Sequence, residues 1–296
     1  MHTPPPNKQE HYYVPTHSYW PLVGCISLLF IATGLVQILH EAFQGYILFS
    51  IGLGILMVMF TGWFYDVVKE SMAGLYSQQM NRTFRLGMLW FIFSEIWFFA
   101  AFFGALFYAR SISVPLLGGI HVEHQATHLW LYPNFVAEWP LLKNPNPQLF
   151  PSPYGAMGAL GVPALNTFLL LMSAVTLTIA HYALLKKNKL TTLLFLGLTI
   201  LLGLVFLGCQ GYEYWHAYEE LKLTLNSGIY ASTFCFLTGF HGLHVTLGTL
   251  MLTCIFIRLL KGHLWGDNHF AFEASAWYWH FVDVVWLFLF IFVYVV

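Results

Sequence analysis

Seven long apolar stretches constrain this chain more than any other feature of its sequence. Each is about 20 residues long, enough for a helix to cross the hydrocarbon core of a bilayer. Only 8% of the residues are charged, whereas typical soluble domains carry about 25%. Because backbone polar groups in lipid must be satisfied within the chain, the sequence predicts an all-α integral membrane protein. The predicted spans are residues 20–39, 45–65, 86–108, 163–185, 190–211, 229–257 and 277–296.

The remaining residues form one terminal segment and the connections between spans. Residues 1–19 are polar and rich in proline, unlike a cleavable signal peptide. Residues 66–85 are expected to be an inner loop between the first two spans and the bundle 86–296. Residues 109–162 are expected to be an extended outer loop, whose "KNPNPQLFPSP" run favours turns over helix.

The distribution of Lys and Arg predicts the orientation. With seven spans, one side of the membrane carries nine of the 12 cations and the other carries Arg110, Lys143 and Lys222. The positive-inside rule then places the N-terminus inside and the C-terminus outside. The formal net charge of −1 gives no electrostatic support to nucleic-acid binding.

Six ionisable residues within the spans are the candidate functional groups, because charge at membrane depth is costly. They are Glu95, His241, His244 and Asp283, and, nearer the span ends, His181 and His280. In "GFHGLHV" the two histidines lie three residues apart and share one helix face, and "WHFVDVVW" repeats this spacing with an aspartate that could orient the histidine. We predict a buried polar network of Glu95, His241, His244, His280 and Asp283.

The partner of Glu95 can be predicted from depth. At 1.5 Å per residue, Glu95, His241 and His244 lie about 13, 12 and 8 Å from the inner face. One of the two histidines should therefore bind the Glu95 carboxyl group. The residues leave three roles open for this group: a hydrogen-bonded network between helices, proton transfer, or ligation of a haem or metal. No ligand spacing indicates a metal site, and no catalytic motif is present, so a subunit is favoured over a complete enzyme.

Four stretches together resemble subunit III of the haem–copper cytochrome c oxidases. They cover most of spans three to seven in the family's order, and the last two are highly specific. Seven spans resemble the cytochrome c oxidase type, because related quinol oxidase subunits generally lack the first two. The stretches are "RLGMLWFIFSEIWFFAAFF" (85–103), "VPALNTFLLLMSAVTLTIAH" (162–181), "IYASTFCFLTGFHGLHVTLGT" (229–249) and "FEASAWYWHFVDVVWLFLF" (272–290).

The resemblance implies a non-redox accessory subunit of a proton-pumping oxidase that reduces O2 to water. Subunits I and II would hold the haems and copper, and this chain would hold no cofactor except phospholipids. Spans 1–2 would splay from spans 3–7 to form a V-shaped lipid cleft. The subunit would sustain proton uptake, protect turnover and offer O2 a route inward. Subunit I would be its main partner, with subunit II in the same complex, and cytochrome c would act on the complex.

The lipid-binding residues are carried over from matching motifs. Trp63 and Glu70 match a "W-x-x-D-V-x-x-E" segment, and Arg258, Lys261 and His263 in "RLLKGH" match basic positions after span six. Physical chemistry agrees, since cationic donors at a membrane boundary suit phosphate oxygens and tryptophan suits the interfacial level.

Two alternatives of other classes stay open from the residues, a proton-coupled transporter and a membrane haem-b electron carrier. A related quinol oxidase subunit is a third. The long outer loop favours a bacterial cell membrane over a mitochondrial inner membrane.

Overall fold

The computed structural model describes residues 13–14, 17–120, 125–264 and 269–295. All regular structure among these residues is helical, and seven helical segments are long and apolar enough to cross a membrane. This confirms the predicted all-α membrane fold. The helices are Trp20–Leu39 (α1), Phe43–Met72 (α2), Gln78–Tyr108 (α3), Val114–Leu117 (α4), Gln125–Leu131 (α5), Val162–Leu185 (α6), Lys189–Glu219 (α7), Ile229–Leu260 (α8) and Phe270–Leu289 (α9); a π-helical turn, Ala109–Ser113, joins α3 to α4, and another, Phe290–Val295, extends α9.

The two predicted loops are more helical than expected. Most of residues 66–85 belongs to α2 and α3, and the start of 109–162 is helical through α4 and α5. Hydropathy marks only the apolar part of a helix, whereas its backbone hydrogen bonds continue into the polar boundary. Between α2 and α3 only residues 73–77 remain, where Gly74 adopts φ +70° and ends α2. The expectation of turns holds for residues 132–161, which contain no helix.

The chain divides into two compact units, residues 1–86 and 87–296. In the first, α1 and α2 pack as a close antiparallel pair. Glycines make the approach possible: a Cβ on Gly34 would lie 2.5 Å from the backbone nitrogen of Phe49, and one on Gly52 would lie 2.8 Å from that of Ile31. The hydroxyl of Ser27 also donates to the Gly52 carbonyl at 2.9 Å. Small residues at a helix contact are typical of packing in membranes.

The second unit is a bundle in which α9 contacts both α6 and α8. The Trp279 and Trp286 rings of α9 are fully buried, and their indole N–H groups donate to Ser173 and Thr167 of α6, each at 2.9 Å. Because a buried indole N–H needs an acceptor, these two bonds fix the register of α9 against α6.

The irregular segment 132–161 is attached by hydrogen bonds to the connection between α7 and α8. Asn144 donates from its side-chain amide to the carbonyls of Phe150 and Ser227, at 3.0 and 2.9 Å. Gly228, at φ +100°, leaves the space that the Asn144 side chain occupies. These bonds satisfy backbone groups that a loop would otherwise expose, so the segment is held at one end of the bundle.

Candidate functional site

Glu95 and His244 form a polar pair between α3 and α8. The Oε2 atom of Glu95 lies 2.7 Å from Nε2 of His244, and the two side chains are 21% and 8% exposed. A spacing of 2.7 Å is typical of a short, charge-assisted hydrogen bond. This contact joins two helices far apart in sequence and confirms the expected bond between Glu95 and one of the two histidines.

The hydrogen bonds of His244 determine how many protons the pair can hold. Its Nδ1 atom lies 2.6 Å from the carbonyl oxygen of Phe240. A carbonyl only accepts, so Nδ1 carries a hydrogen. The second ring position, Nε2, then either accepts from a protonated Glu95 or donates to the Glu95 carboxylate. In both arrangements one proton is shared and the pair is neutral overall, which suits a site at membrane depth.

Aromatic side chains surround the His244 ring. Phe99 of α3 meets it edge to face at 4.9 Å between ring centroids, Phe98 lies at 5.9 Å, and Tyr278 of α9 stacks on it at 6.3 Å. Glu95, Phe98 and Phe99 recur at helical spacing, so one face of α3 carries both the acid and the rings. The pair is therefore held among apolar groups, where a hydrogen bond is electrostatically stronger than in water.

His241 takes no part in this pair. Its ring is fully buried, and Nε2 lies 3.2 Å from the carbonyl oxygen of Val282 on α9. The rings of Phe206 and Trp286 pack against it at 5.7 and 5.1 Å. The i, i+3 spacing thus gives the two histidines different polar partners: His244 bonds to Glu95 of α3, and His241 bonds to the Val282 carbonyl of α9.

The expected contact between His280 and Asp283 is not formed in the described residues. Asp283 is 6% exposed, and its Oδ1 atom has no hydrogen-bond partner among them. The i, i+3 spacing is compatible with a contact, but no hydrogen bond joins the two side chains among the described residues. Of the five predicted network residues, the structure joins Glu95 to His244 and does not bring the other three into this pair.

Among the lipid candidates, Glu70 is held within the first unit. Its carboxylate accepts from the hydroxyls of Tyr13 and Tyr76 at 3.3 and 2.8 Å. Desolvation, followed by the charge of Glu70, raises the pKa of Tyr13. Trp63, one turn before Asp66, is about half exposed. An exposed tryptophan on a helix that can span a membrane fits the interfacial position expected of it.

The basic candidates lie together where α8 ends. Lys261 caps the helix, and Gly262 at φ +82° turns the chain so that the backbone N–H of His263 donates to the Arg258 carbonyl at 3.0 Å. This αL termination places three basic residues within one turn. These three residues belong to the second compact unit, whereas Glu70 belongs to the first. The predicted lipid-binding residues therefore fall into two groups, one in each unit.

One buried acid lies beyond the apolar part of its helix. The predicted span 190–211 ends before Glu213, yet α7 continues to Glu219 and leaves Glu213 only 2% exposed. The hydropathy of residues 190–211 gave no sign of this, because "YEYWHAYE" reads as the polar end of a span. A helical projection would have placed Glu213 and the buried Gln210 on the same face.

Comparison with known proteins decides the family. A family model described as cytochrome c oxidase subunit III matches residues 10–123 and 148–296. The chain belongs to the cytochrome c oxidase subunit III family. A protein named cytochrome c oxidase subunit 3 from Lemur catta is 38% identical over 94% of this chain and 90% of its own length. Proteins of that name from Eudorcas rufifrons and Hippopotamus amphibius are also 38% identical, over 95% and 94% of this chain and 95% of each relative.

As a subunit III protein, the chain is an integral membrane protein and a component of an oxidase complex. All of the candidate network and lipid residues fall within the matched ranges. The family model leaves residues 124–147 unmatched, and these lie in the segment predicted to be an outer loop.

Proposed function

We propose that this chain is a non-redox accessory subunit of a proton-pumping cytochrome c oxidase that reduces O2 to water. Its match to subunit III relatives along about 95% of its length carries the proposal. Subunit I is the main partner, and subunits I and II hold the haems and copper. The membrane is a bacterial cell membrane, with the N-terminus inside.

The contacts of the buried histidines support a non-redox role. A haem ligand needs a ring nitrogen that faces an open space large enough for the porphyrin. His244 uses one nitrogen on Phe240 and the other on Glu95, and His241 is packed between Phe206 and Trp286. These histidines therefore stabilise the helix bundle, and Glu95 acts as the acid of a buried pair rather than as a link in an obligatory proton wire.

Phospholipid binding is the second part of the proposal. Trp63 and Glu70 mark one binding segment, and Arg258, Lys261 and His263 mark another. The three basic residues at the end of α8 offer cationic donors at the boundary where lipid phosphates lie. Bound lipid would fill a cleft beside the bundle, offer O2 a route inward and support proton uptake by subunit I.

Purification of the tagged chain tests the proposal. From native membranes it should co-purify with a haem–copper subunit, and the isolated chain should have no visible haem spectrum. Stoichiometric haem on the isolated chain would overturn the non-redox assignment. Substrate-dependent proton uptake by the chain alone in liposomes would instead support a transporter. Removal of the chain from the complex should leave initial O2 reduction largely intact but shorten the active lifetime during turnover.

A further inference from the structure

An apolar groove lies between α7 and α8, near the connection that joins these two helices. Its volume is about 460 Å3, which lies within the usual range of ligand-binding pockets. Its wall comes from the last turns of α7, residues 223–225 of the connection and the first half of α8. Aromatic and aliphatic side chains dominate this wall, and among the described residues no Lys, Arg, Asp or Glu side chain lines it.

The polar groups in the wall already have partners within the protein. The hydroxyl of Tyr214 lies 3.1 Å from the carbonyl oxygen of Cys235 and 2.7 Å from Oγ1 of Thr238. The hydroxyl of Thr224 lies 2.8 Å from that of Ser227. Because these hydroxyls are satisfied without a ligand, the wall favours an apolar ligand over a polar one.

The groove is continuous with the surface that the spanning helices present to lipid. Both α7 and α8 are long and apolar enough to cross a membrane. Four side chains of the wall are 44–59% exposed, namely Tyr218, Leu225, Phe236 and Leu243. In a bilayer an acyl chain can therefore enter the groove from the side without crossing water.

Charged side chains lie at the end of α7, between the two parts of the chain that line the groove. Nζ of Lys222 lies 3.5 Å from Oε2 of Glu219, and His216 bonds to Glu220 at 2.9 Å. With this histidine neutral, two carboxylates and one ammonium group leave a net negative charge. That charge disfavours an anionic lipid headgroup. A headgroup with its own ammonium group can contact the carboxylates, while its phosphate lies near the lysine.

We propose that the groove binds an acyl chain of a zwitterionic phospholipid whose headgroup carries a primary ammonium group. The ammonium group lies at Glu219 and Glu220, and the phosphate lies at Lys222. Lipid tails are already in hydrocarbon, so specific binding depends on packing in the groove and on the headgroup contacts. The site does not rest on the predicted lipid-binding residue Arg258, which lies at the other end of α8.

Lipid exchange on the intact oxidase complex tests the groove. The complex is delipidated, incubated with equal amounts of phosphatidylethanolamine and phosphatidylglycerol of the same acyl chains, and analysed by native mass spectrometry. Cys235→Phe places a ring in the groove and should lose the phosphatidylethanolamine molecule that wild type retains. Cys254→Phe adds the same ring at an exposed position of α8 outside the groove and should behave as wild type. Equal retention by wild type and Cys235→Phe would overturn the proposal.

Glu219→Gln tests the headgroup contact separately. The loss of an exposed ion pair should lower the preference for phosphatidylethanolamine over phosphatidylglycerol by about threefold. Glu138→Gln removes a carboxylate at another exposed position and should leave the preference unchanged. The same preference in wild type and Glu219→Gln would overturn the headgroup assignment.

A photoreactive lipid covers the case in which Cys235→Phe does not assemble. Phosphatidylethanolamine with a diazirine in its acyl chain, irradiated with the wild-type complex, should attach within residues 214–243. Excess phosphatidylethanolamine, but not phosphatidylglycerol, should suppress this attachment. Labelling of other spans with none in residues 214–243 would contradict the proposal, and so would a structure of the complex in which another subunit fills the groove.

Discussion

At the scale of single residues, the Glu95–His244 pair holds one proton between two helices. The carbonyl of Phe240 fixes the hydrogen on Nδ1 of His244, so Nε2 faces Glu95 as the only adjustable position. A side chain that can donate to Nε2 should therefore replace Glu95 well. An apolar side chain should not, because it leaves a buried ring nitrogen unpaired.

Glu95→Gln and Glu95→Leu should separate these outcomes. The Gln amide can donate to Nε2 of a neutral His244, so assembly, thermal stability and proton-pumping stoichiometry should stay near wild type. Glu95→Leu should lower the stability of the assembled complex by about 1–3 kcal/mol, the usual cost of an unsatisfied buried polar group.

Thermal unfolding of the two variants measures the stability of the complex, and pH changes outside proteoliposomes measure the pumping. Glu220→Gln, at an exposed carboxylate, is the control. Loss of pumping by an assembled Glu95→Gln complex would contradict the network role.

The basic residues after α8 carry a second prediction at this scale. Each cation near an anionic lipid surface contributes about 1 kcal/mol, so Arg258→Ala together with Lys261→Ala should weaken phospholipid binding by about 2 kcal/mol, roughly thirtyfold. Native mass spectrometry of the complex would measure the retained lipid. The exposed pair Lys186→Ala and Lys187→Ala controls for general loss of charge. Unchanged lipid in the first double variant would remove these residues from the lipid site.

At the scale of elements, hydropathy predicted each long helix but not where it ends. The apolar part of α7 stops near residue 211, yet the helix continues to Glu219 and buries Glu213. Hydropathy also failed to predict that α2 and α3 continue into residues 66–85. A polar residue at a membrane boundary is compatible with both helix and loop. The depth count could place Glu95 near the two histidines because it needs only the helical rise, which does not depend on the neighbours of a helix.

The α1–α2 contact gives a prediction at this scale. A Cβ on Gly52 would lie 2.8 Å from both the backbone nitrogen and the side chain of Ile31, whereas one on Gly54 would have nothing within 4 Å. Gly52→Ala should therefore force the helices apart and cost about 1–3 kcal/mol. Gly54→Ala should be neutral or slightly stabilising, since alanine favours helix over glycine by about 1 kcal/mol. Thermal unfolding of the complex compares them, and equal stability would show that the close approach is unimportant.

At the scale of the whole molecule, composition predicted an all-α membrane protein, and the four matching stretches predicted the subunit III family. What the sequence could not give was the pairing of residues between distant helices. Trp279 and Ser173 are 106 residues apart in the chain, and only the packing of α6 on α9 brings them together. By depth, His241 at about 12 Å matches Glu95 at about 13 Å better than His244 at about 8 Å. The orientation of α8 nevertheless places His244 against Glu95.

Orientation is the prediction that belongs to the whole chain. If the seven spans alternate in direction, the sequence predicts nine Lys and Arg residues on the side of the α6–α7 connection and three on the side of the α7–α8 connection. Because membrane insertion retains cationic connections inside, Lys187 should face the cytoplasm and Lys222 the outside. Both adopt positive φ in exposed turns, so a cysteine placed at either position is accessible to a reagent. In a background where the four native cysteines are replaced, a membrane-impermeant maleimide should label Lys222→Cys in intact cells and Lys187→Cys only after the membrane is opened. The reverse pattern would place the N-terminus outside, and the basic residues at the end of α8 with it.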